Sequence, residues 1–432
     1  MSPNPLQHAL TDWAVIAVFG VVYLGMFLGG LPRLKLDRSG VALLGAIAVI
    51  AITGMPVAEA ARAIDLPTIL LLFAFMVISA QMRLGGFYAA VTRRVGALPV
   101  GRAALLAALI AVSAGLSAVF SNDVVCLAMT PVVVRLCLRR GWHPVPFLLA
   151  LACSANIGSA ATLIGNPQNM LIGSVMQLPF AAYARAAAVP VLVGLIVLWA
   201  WVAFAPGQPV VADRPATAGG TGDPAVGFPG GSPEHTPGNL PDEPPFDAWQ
   251  TAKGLGVAGA LMGVFLFTDG PHEVAALVGA AVLLLSRRLA SPAFMRLVDW
   301  PLLVLFMGLF VVNHAFAATG VAHEAVAWLG ARGVVLGEPS TLLVVGTVLS
   351  NLVSNVPAVM LLLPHLAGEQ AGVTLALVTT FAGNLLLVGS IANLIVADLA
   401  RAQGVVIDWR THARTGVPVT LLSLAGVAWW VA

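Results

Sequence analysis

Long apolar runs separated by short polar breaks occupy almost the whole chain. Most of them read as helices at membrane depth, where roughly 20 residues cross the hydrocarbon core. They fall near 13–30, 40–55 and 66–81, then as a pair at 103–119 and 124–138. A stretch at 146–177 is interrupted by NIGSAATLIGNPQN, and a plain run follows at 189–205. Past residue 248 the order returns: runs near 252–268, 274–286 and 301–318, a pair at 341–353 and 356–364, a stretch at 372–398 interrupted by GNLLLVGSIAN, and a last run at 416–432.

The two halves also share motifs. DLPTILLLFAF at Asp65 resembles DWPLLVLFMGL at Asp299, SNDVVCLAMTP at Ser121 resembles SNVPAVMLLLP at Ser354, and GNPQNMLI at Gly165 resembles GSIANLIV at Gly389. Each half then holds five full spans and one hairpin, an odd number of crossings, so the halves are expected to insert with opposite topology. The predicted fold is an all-α polytopic membrane protein of two inverted repeats. The first covers 1–205, with a re-entrant hairpin at about 103–138 and a broken helix at about 146–177. The second covers 249–432, with a hairpin at about 341–364 and a broken helix at about 372–398. The returning arm of the second hairpin is too short for a core of about 30 Å at about 1.5 Å per residue. Residues 206–248 carry ten prolines and almost no aliphatic run, and read as a disordered linker.

Composition agrees. The chain is 59% hydrophobic and 9% charged, with a mean hydropathy of +0.94, far from the roughly 25% charged residues of soluble domains. Its net charge of +2 gives no reason to expect a nucleic-acid partner. With both hairpins re-entrant and the N-terminus outside, 18 of the 21 Lys and Arg residues fall on the cytoplasmic side, leaving Arg62, Arg185 and Arg332 outside. That is expected to put both termini outside and the linker in the cytoplasm. The opening MSPNPLQHALTDW has no basic stretch, so the first span itself is expected to direct insertion. Cys126, Cys137 and Cys153 lie in apolar segments with neither disulfide nor zinc spacing.

The polar breaks carry the chemistry. Matching breaks in two halves of a membrane chain point to a transporter's binding site. Ser121, Asn122, Ser354 and Asn355 sit at the hairpin tips, where broken helices leave backbone N–H groups that favour anions and oxygens that suit Na+. An interhelical hydrogen bond made for packing is the plainer reading of one such pair, and the duplication argues against it. Asp123 is an acid at membrane depth with no Lys or Arg at the same depth, and is expected to hold a proton or Na+. Thr162, Gly165, Asn166 and Asn169 pack helix-breaking and polar residues into the first interrupted segment, and Asn384, Gly389, Ser390 and Asn393 do so in the second. Na+ is expected at Ser121, Asn122, Asp123, Ser354 and Asn355. No catalytic residue, cofactor or resident metal is expected beyond Na+ or H+ as the coupling ion.

On SND…TP, NIGSAATLIGNPQN, SNLVSNVP and GNLLLVGSIANLIV the chain resembles the ion transporter superfamily: divalent anion:sodium symporters, citrate transporters, arsenite permeases and Na+/H+ antiporters of one fold. The divalent anion symporters have Ser-Asn-Thr at both tips, whereas here Asp123 and Val356 take the third place. Asn-Asp followed by Thr-Pro looks closer to the arsenite permeases, and the whole pattern resembles bacterial anion permeases of unassigned substrate. The resemblance implies a homodimer whose binding domain moves as an elevator. The expected function is secondary active transport of a small anion coupled to Na+ or H+. Arsenite or antimonite efflux and Na+/H+ antiport are the alternatives within that group. A passive channel needs no driving ion. A membrane enzyme needs a base or nucleophile set, and Asp123 has no His or Glu companion.

Overall fold

The computed structural model describes residues 5–31, 34–205, 245–268 and 270–431. Before the undescribed stretch the helices are α1 (Pro5–Leu28), α2 (Arg38–Thr53), α3 (Val57–Ala63), α4 (Leu66–Leu84), α5 (Phe87–Gly96), α6 (Arg102–Val119), α7 (Asn122–Arg139), α8 (Pro144–Ser159), α9 (Pro167–Met176) and α10 (Phe180–Phe204). After it come α11 (Ala248–Phe267), α12 (His272–Leu284), α13 (Ser291–Met295), α14 (Trp300–Ala318), α15 (Val321–Gly330), α16 (Pro339–Val353), α17 (Asn355–Leu362), α18 (Glu369–Ala382), α19 (Ile391–Arg401) and α20 (Trp409–Val431). Of the expected linker, 206–244 lies outside the described residues. The chain resumes ahead of Asp247, whose carboxylate caps α11 by accepting from Trp249 N at 2.9 Å and Gln250 N at 3.1 Å. A two-residue antiparallel ribbon, Gly30–Leu31 with Leu36–Asp37, turns the chain from α1 into α2.

Among the described residues six helices, α1, α4, α6, α10, α11 and α14, are long and apolar enough to cross a membrane. The shared Asp-x-Pro motif is a helix start. Asp65 Oδ1 accepts from Thr68 N at 2.9 Å and Asp299 Oδ1 from Leu302 N at 3.0 Å, each with a proline in the first turn of the helix it caps. The interrupted stretches are broken helices: α8 stops at Ser159 and α9 starts at Pro167, while α18 stops at Ala382 and α19 starts at Ile391.

The paired runs turn back at Ser121 and Ser354. The first pair closes on itself at its base, where Arg140 Nη2 donates to Gly96 O and Leu98 O at 2.6 Å each, next to the start of α6. In the second pair α17 has 8 residues, about 12 Å of helix, far short of a bilayer core.

Packing sorts the helices into two bodies. In one, α2 lies along α14 and α4 along α12, with α1 and α11 flanking them. In the other, α6, α7 and α19 surround α8, α16 packs on α18, and α10 lies along α20. In both, elements from before and after the undescribed stretch interleave. The bodies meet where α9 touches α4, α14 touches α17 and α16 touches α1.

Candidate functional site

Four helices begin at one place. The first residues of α7, α9, α17 and α19 are joined through a buried network of amides, hydroxyls and carbonyls. Asn122 starts α7; its N–H donates to Gly165 O at 3.3 Å, just ahead of α9, and its Nδ2 donates to Asn156 Oδ1 at 2.9 Å. Asn156 also accepts from Ser390 Oγ at 3.0 Å and donates to Asn384 Oδ1 at 2.8 Å and Asn393 Oδ1 at 3.3 Å. A polar side chain on α8 thus fills the break of the other half.

Thr380 on α18 does the reverse. Its Oγ1 takes Asn166 Nδ2 at 3.4 Å and Gln168 Nε2 at 3.3 Å, and donates to Asn169 Oδ1 at 3.4 Å. Asn169 and Asn393 brace their own breaks alike: Asn169 Nδ2 donates to Thr162 O at 3.2 Å, and Asn393 Nδ2 to Leu386 O at 3.3 Å and Gly383 O at 2.9 Å. Asn166 caps α9 through Asn169 N at 2.9 Å, and Thr162 Oγ1 donates to Ala118 O.

The second tip differs from the first. Ser354 has φ 78 and ψ 160, a conformation seldom seen outside glycine, whereas Ser121 sits at φ −56 and ψ 129. The Asn355 amide lies against Thr379 O at 3.3 Å and Gly389 O at 3.2 Å; carbonyls only accept, so its nitrogen faces them. Around Gly165 the backbone is so close that a Cβ would stand 2.2 Å from Ser159 O and 2.7 Å from Ser117 O, and at Gly158 one would stand 2.3 Å from Ala114 Cα.

The predicted residues therefore fall into two groups. Thr162, Asn166, Asn169, Asn384, Ser390, Asn393 and Asn355 are buried and hydrogen-bonded, mainly to Asn156, Thr380, Ser350 and backbone carbonyls. Ser121 and Ser354 make no cap bond with their hydroxyls, and half-buried Asp123 has no hydrogen bond or ion pair among the described residues. Asn122 Oδ1 and Ser117 Oγ are buried without a partner among the described residues. Asp123 lies in the first turn of α7, where an acid complements the positive helix end.

Sequence reasoning did not single out Thr380, Gln168 or Ser117. Thr380 stands at the same offset from Asn156 as Gly389 does from Gly165, and that register is the signal that finds it. Asn313 and His314 on α14 lie outside this network: Asn313 Oδ1 accepts from Tyr23 OH at 2.9 Å, and His314 Nε2 stands 3.5 Å from Glu59 Oε1. Cys126 and Cys153 are buried free thiols.

Four helix N-termini present partial positive charge and N–H groups to one spot, an arrangement that attracts anions without Lys or Arg. Sequence comparison matches residues 23–382 to the Citrate transporter family. The chain is 29% identical over 462 residues to the Silicon efflux transporter LSI3 of Oryza sativa subsp. japonica, covering 94% of this chain and 95% of that protein. It is 29% identical over 359 residues to the inner membrane protein YbiR of Escherichia coli (strain K12), covering 81% of this chain and 83% of that one. A segment of 163 residues, 38% of this chain and 29% of the relative, is 29% identical to a transporter named arsB of Dictyostelium discoideum. The solved structure of the Alcanivorax borkumensis YdaH transporter aligns with a TM-score of 0.49 at 14% identity, covering 99% of this chain and 98% of that one. With most of its length matched, the chain belongs to the Citrate transporter family and is a multi-pass membrane anion transporter.

Proposed function

We propose that the protein is a secondary active transporter of a small anion, driven by Na+ or H+ and working as an elevator. The observation that carries this reading is the meeting of four helix N-termini at a network without Lys or Arg, beside Asp123, which no partner among the described residues neutralises. Substrate charge is met by N–H groups and the bound cation. Ser121, Asn122 and Asp123 from one half, with Ser354 and Asn355 from the other, face the ligand. Thr162, Gly165, Asn166, Asn169, Asn384, Gly389, Ser390 and Asn393 hold the breaks in shape around it.

Na+ needs several oxygen donors. Asn122 Oδ1 and Ser117 Oγ, both buried and unpartnered among the described residues, fit that need; the backbones of both residues border Gly165, and Asp123 is the next residue after Asn122. The helix order supports two inverted repeats, the first body serving as scaffold and the second as the moving part. A homodimer in a bacterial inner membrane, with both termini periplasmic, completes the proposal.

A second reading is efflux of an undissociated oxyacid such as arsenous, antimonous or silicic acid. It is favoured by a site of amides and hydroxyls, which both donate to and accept from O–H groups, and by relatives named for silicon efflux and arsB. One experiment separates the readings. Proteoliposomes are given labelled citrate, succinate, sulfate or arsenite under an imposed Na+ gradient, a proton gradient, or neither. Gradient-dependent uptake of one anion supports the first reading. Proton-driven arsenite movement with no anion uptake supports the second. Na+-driven proton movement with no other substrate would replace both with antiport.

A further inference from the structure

Each broken helix exposes a carbonyl where its first segment ends. In the first half this is Ala160 O, five residues before Gly165, and it accepts from Tyr183 OH at 2.8 Å. In the second half it is Asn384 O, five residues before Gly389, and it meets His412 Nε2 at 2.9 Å. Tyr183 is the fourth residue of α10 and His412 the fourth of α20. Both side chains are buried, at 0% and 1% exposure. The two bonds are the same bond made at the same place in each half, once by a phenol and once by an imidazole.

We infer that Tyr183 and His412 are positioning residues of the site, each clamping one break so that its polar residues hold their arrangement. Tyr183 OH also accepts from Asn169 Nδ2 at 3.0 Å, which ties that clamp directly to a residue of the network. Asn384, held from behind by His412, accepts from Asn156 on its other side. Because a carbonyl only accepts, His412 carries its proton on Nε2, and its Nδ1 is buried without a partner among the described residues. The helix carrying His412 also comes very close. A Cβ on Gly416 would stand 2.3 Å from Asn384 O, so α20 presses on the break with no side chain between. A buried carbonyl that loses its only donor costs the surrounding segment its rigidity.

This inference rests on the site proposed above, and it is tested first by a measurement that needs no transport. Hydrogen–deuterium exchange of the purified full-length protein is read on peptides covering 159–166 and 383–390. His412→Leu is expected to speed exchange of 383–390 by about tenfold, the scale of one lost buried hydrogen bond, while 159–166 is unchanged. Tyr183→Phe is expected to do the opposite. His412→Gln, whose amide nitrogen falls near the place of Nε2, is expected to restore slow exchange. In transport, His412→Leu should raise the substrate KM by about tenfold with a smaller change in maximal rate, and His412→Gln should recover it. Equal exchange in His412→Leu and His412→Gln, or faster exchange of both segments in either variant, would overturn the clamp. Wild-type protein that moves no substrate would count against the proposed function, and the exchange result would still decide the clamp.

Discussion

Asn156 and Thr380 show what single side chains do at the break. Each reaches from the helix before one break into the break of the other half, so neither half's loop is complete alone. Asn156 has four partners, and Asn156→Ala would leave them short of hydrogen bonds in a dry interior. A loss of about 3 kcal/mol is expected, read as a lower thermal unfolding midpoint in detergent. Gly165→Ala sets a methyl 2.2 Å from a backbone oxygen, which cannot turn aside as a side chain would. A cost of about 1–3 kcal/mol or more follows, and an unfolding midpoint equal to wild type would refute that close approach. The tip residues were legible because Ser-Asn occurs twice in matched surroundings. Tyr183 and His412 were not, since the partner of each is a backbone carbonyl that only folding brings to it, and Thr380 shows only through its register with Asn156.

Among elements, the two hairpins are built to one plan and finished differently. Ser354 is held in a glycine-like conformation that costs about 1–3 kcal/mol, while its counterpart Ser121 is relaxed. Ser354→Gly is therefore expected to raise stability relative to Ser354→Ala by about 1–2 kcal/mol, because both lose the hydroxyl and only glycine loses the strain. At Ser121 the same pair should differ little. Unfolding midpoints of the four variants measure this, and equal differences at the two sites would contradict it. The shortness of the arm that forms α17 was readable in the sequence, and the Asp-x-Pro motifs marked α4 and α14. The strain at Ser354 left no trace there, since nothing in Ser-Asn-Val requires a positive φ.

At the scale of the molecule, the proposed elevator requires the moving body to break its contacts with the fixed one. Ser174 Oγ on α9 donates to Asp65 Oδ1 at the start of α4 at 2.8 Å, joining the two bodies. In a background without Cys126, Cys137 and Cys153, a disulfide between Ser174→Cys and Asp65→Cys is expected to stop transport, and reduction to restore it. Full transport with the disulfide formed would mean that these helices do not separate during the cycle. The order of the longer helices was plain from the apolar runs, while the short α3, α5, α13 and α15 were not. The interleaving of the halves into two bodies was not, because hydropathy records which residues avoid water and not which helix they face. The central claim is that a gradient drives an anion through the meeting point of the tips, with Asp123 as the coupling group. Uptake by proteoliposomes with and without the driving gradient, wild type beside Asp123→Asn, tests it most directly. The account predicts gradient-driven uptake in the wild type and its loss by tenfold or more in a variant that folds normally, where tenfold corresponds to about 1.4 kcal/mol. The same gradient response in both proteins would contradict it.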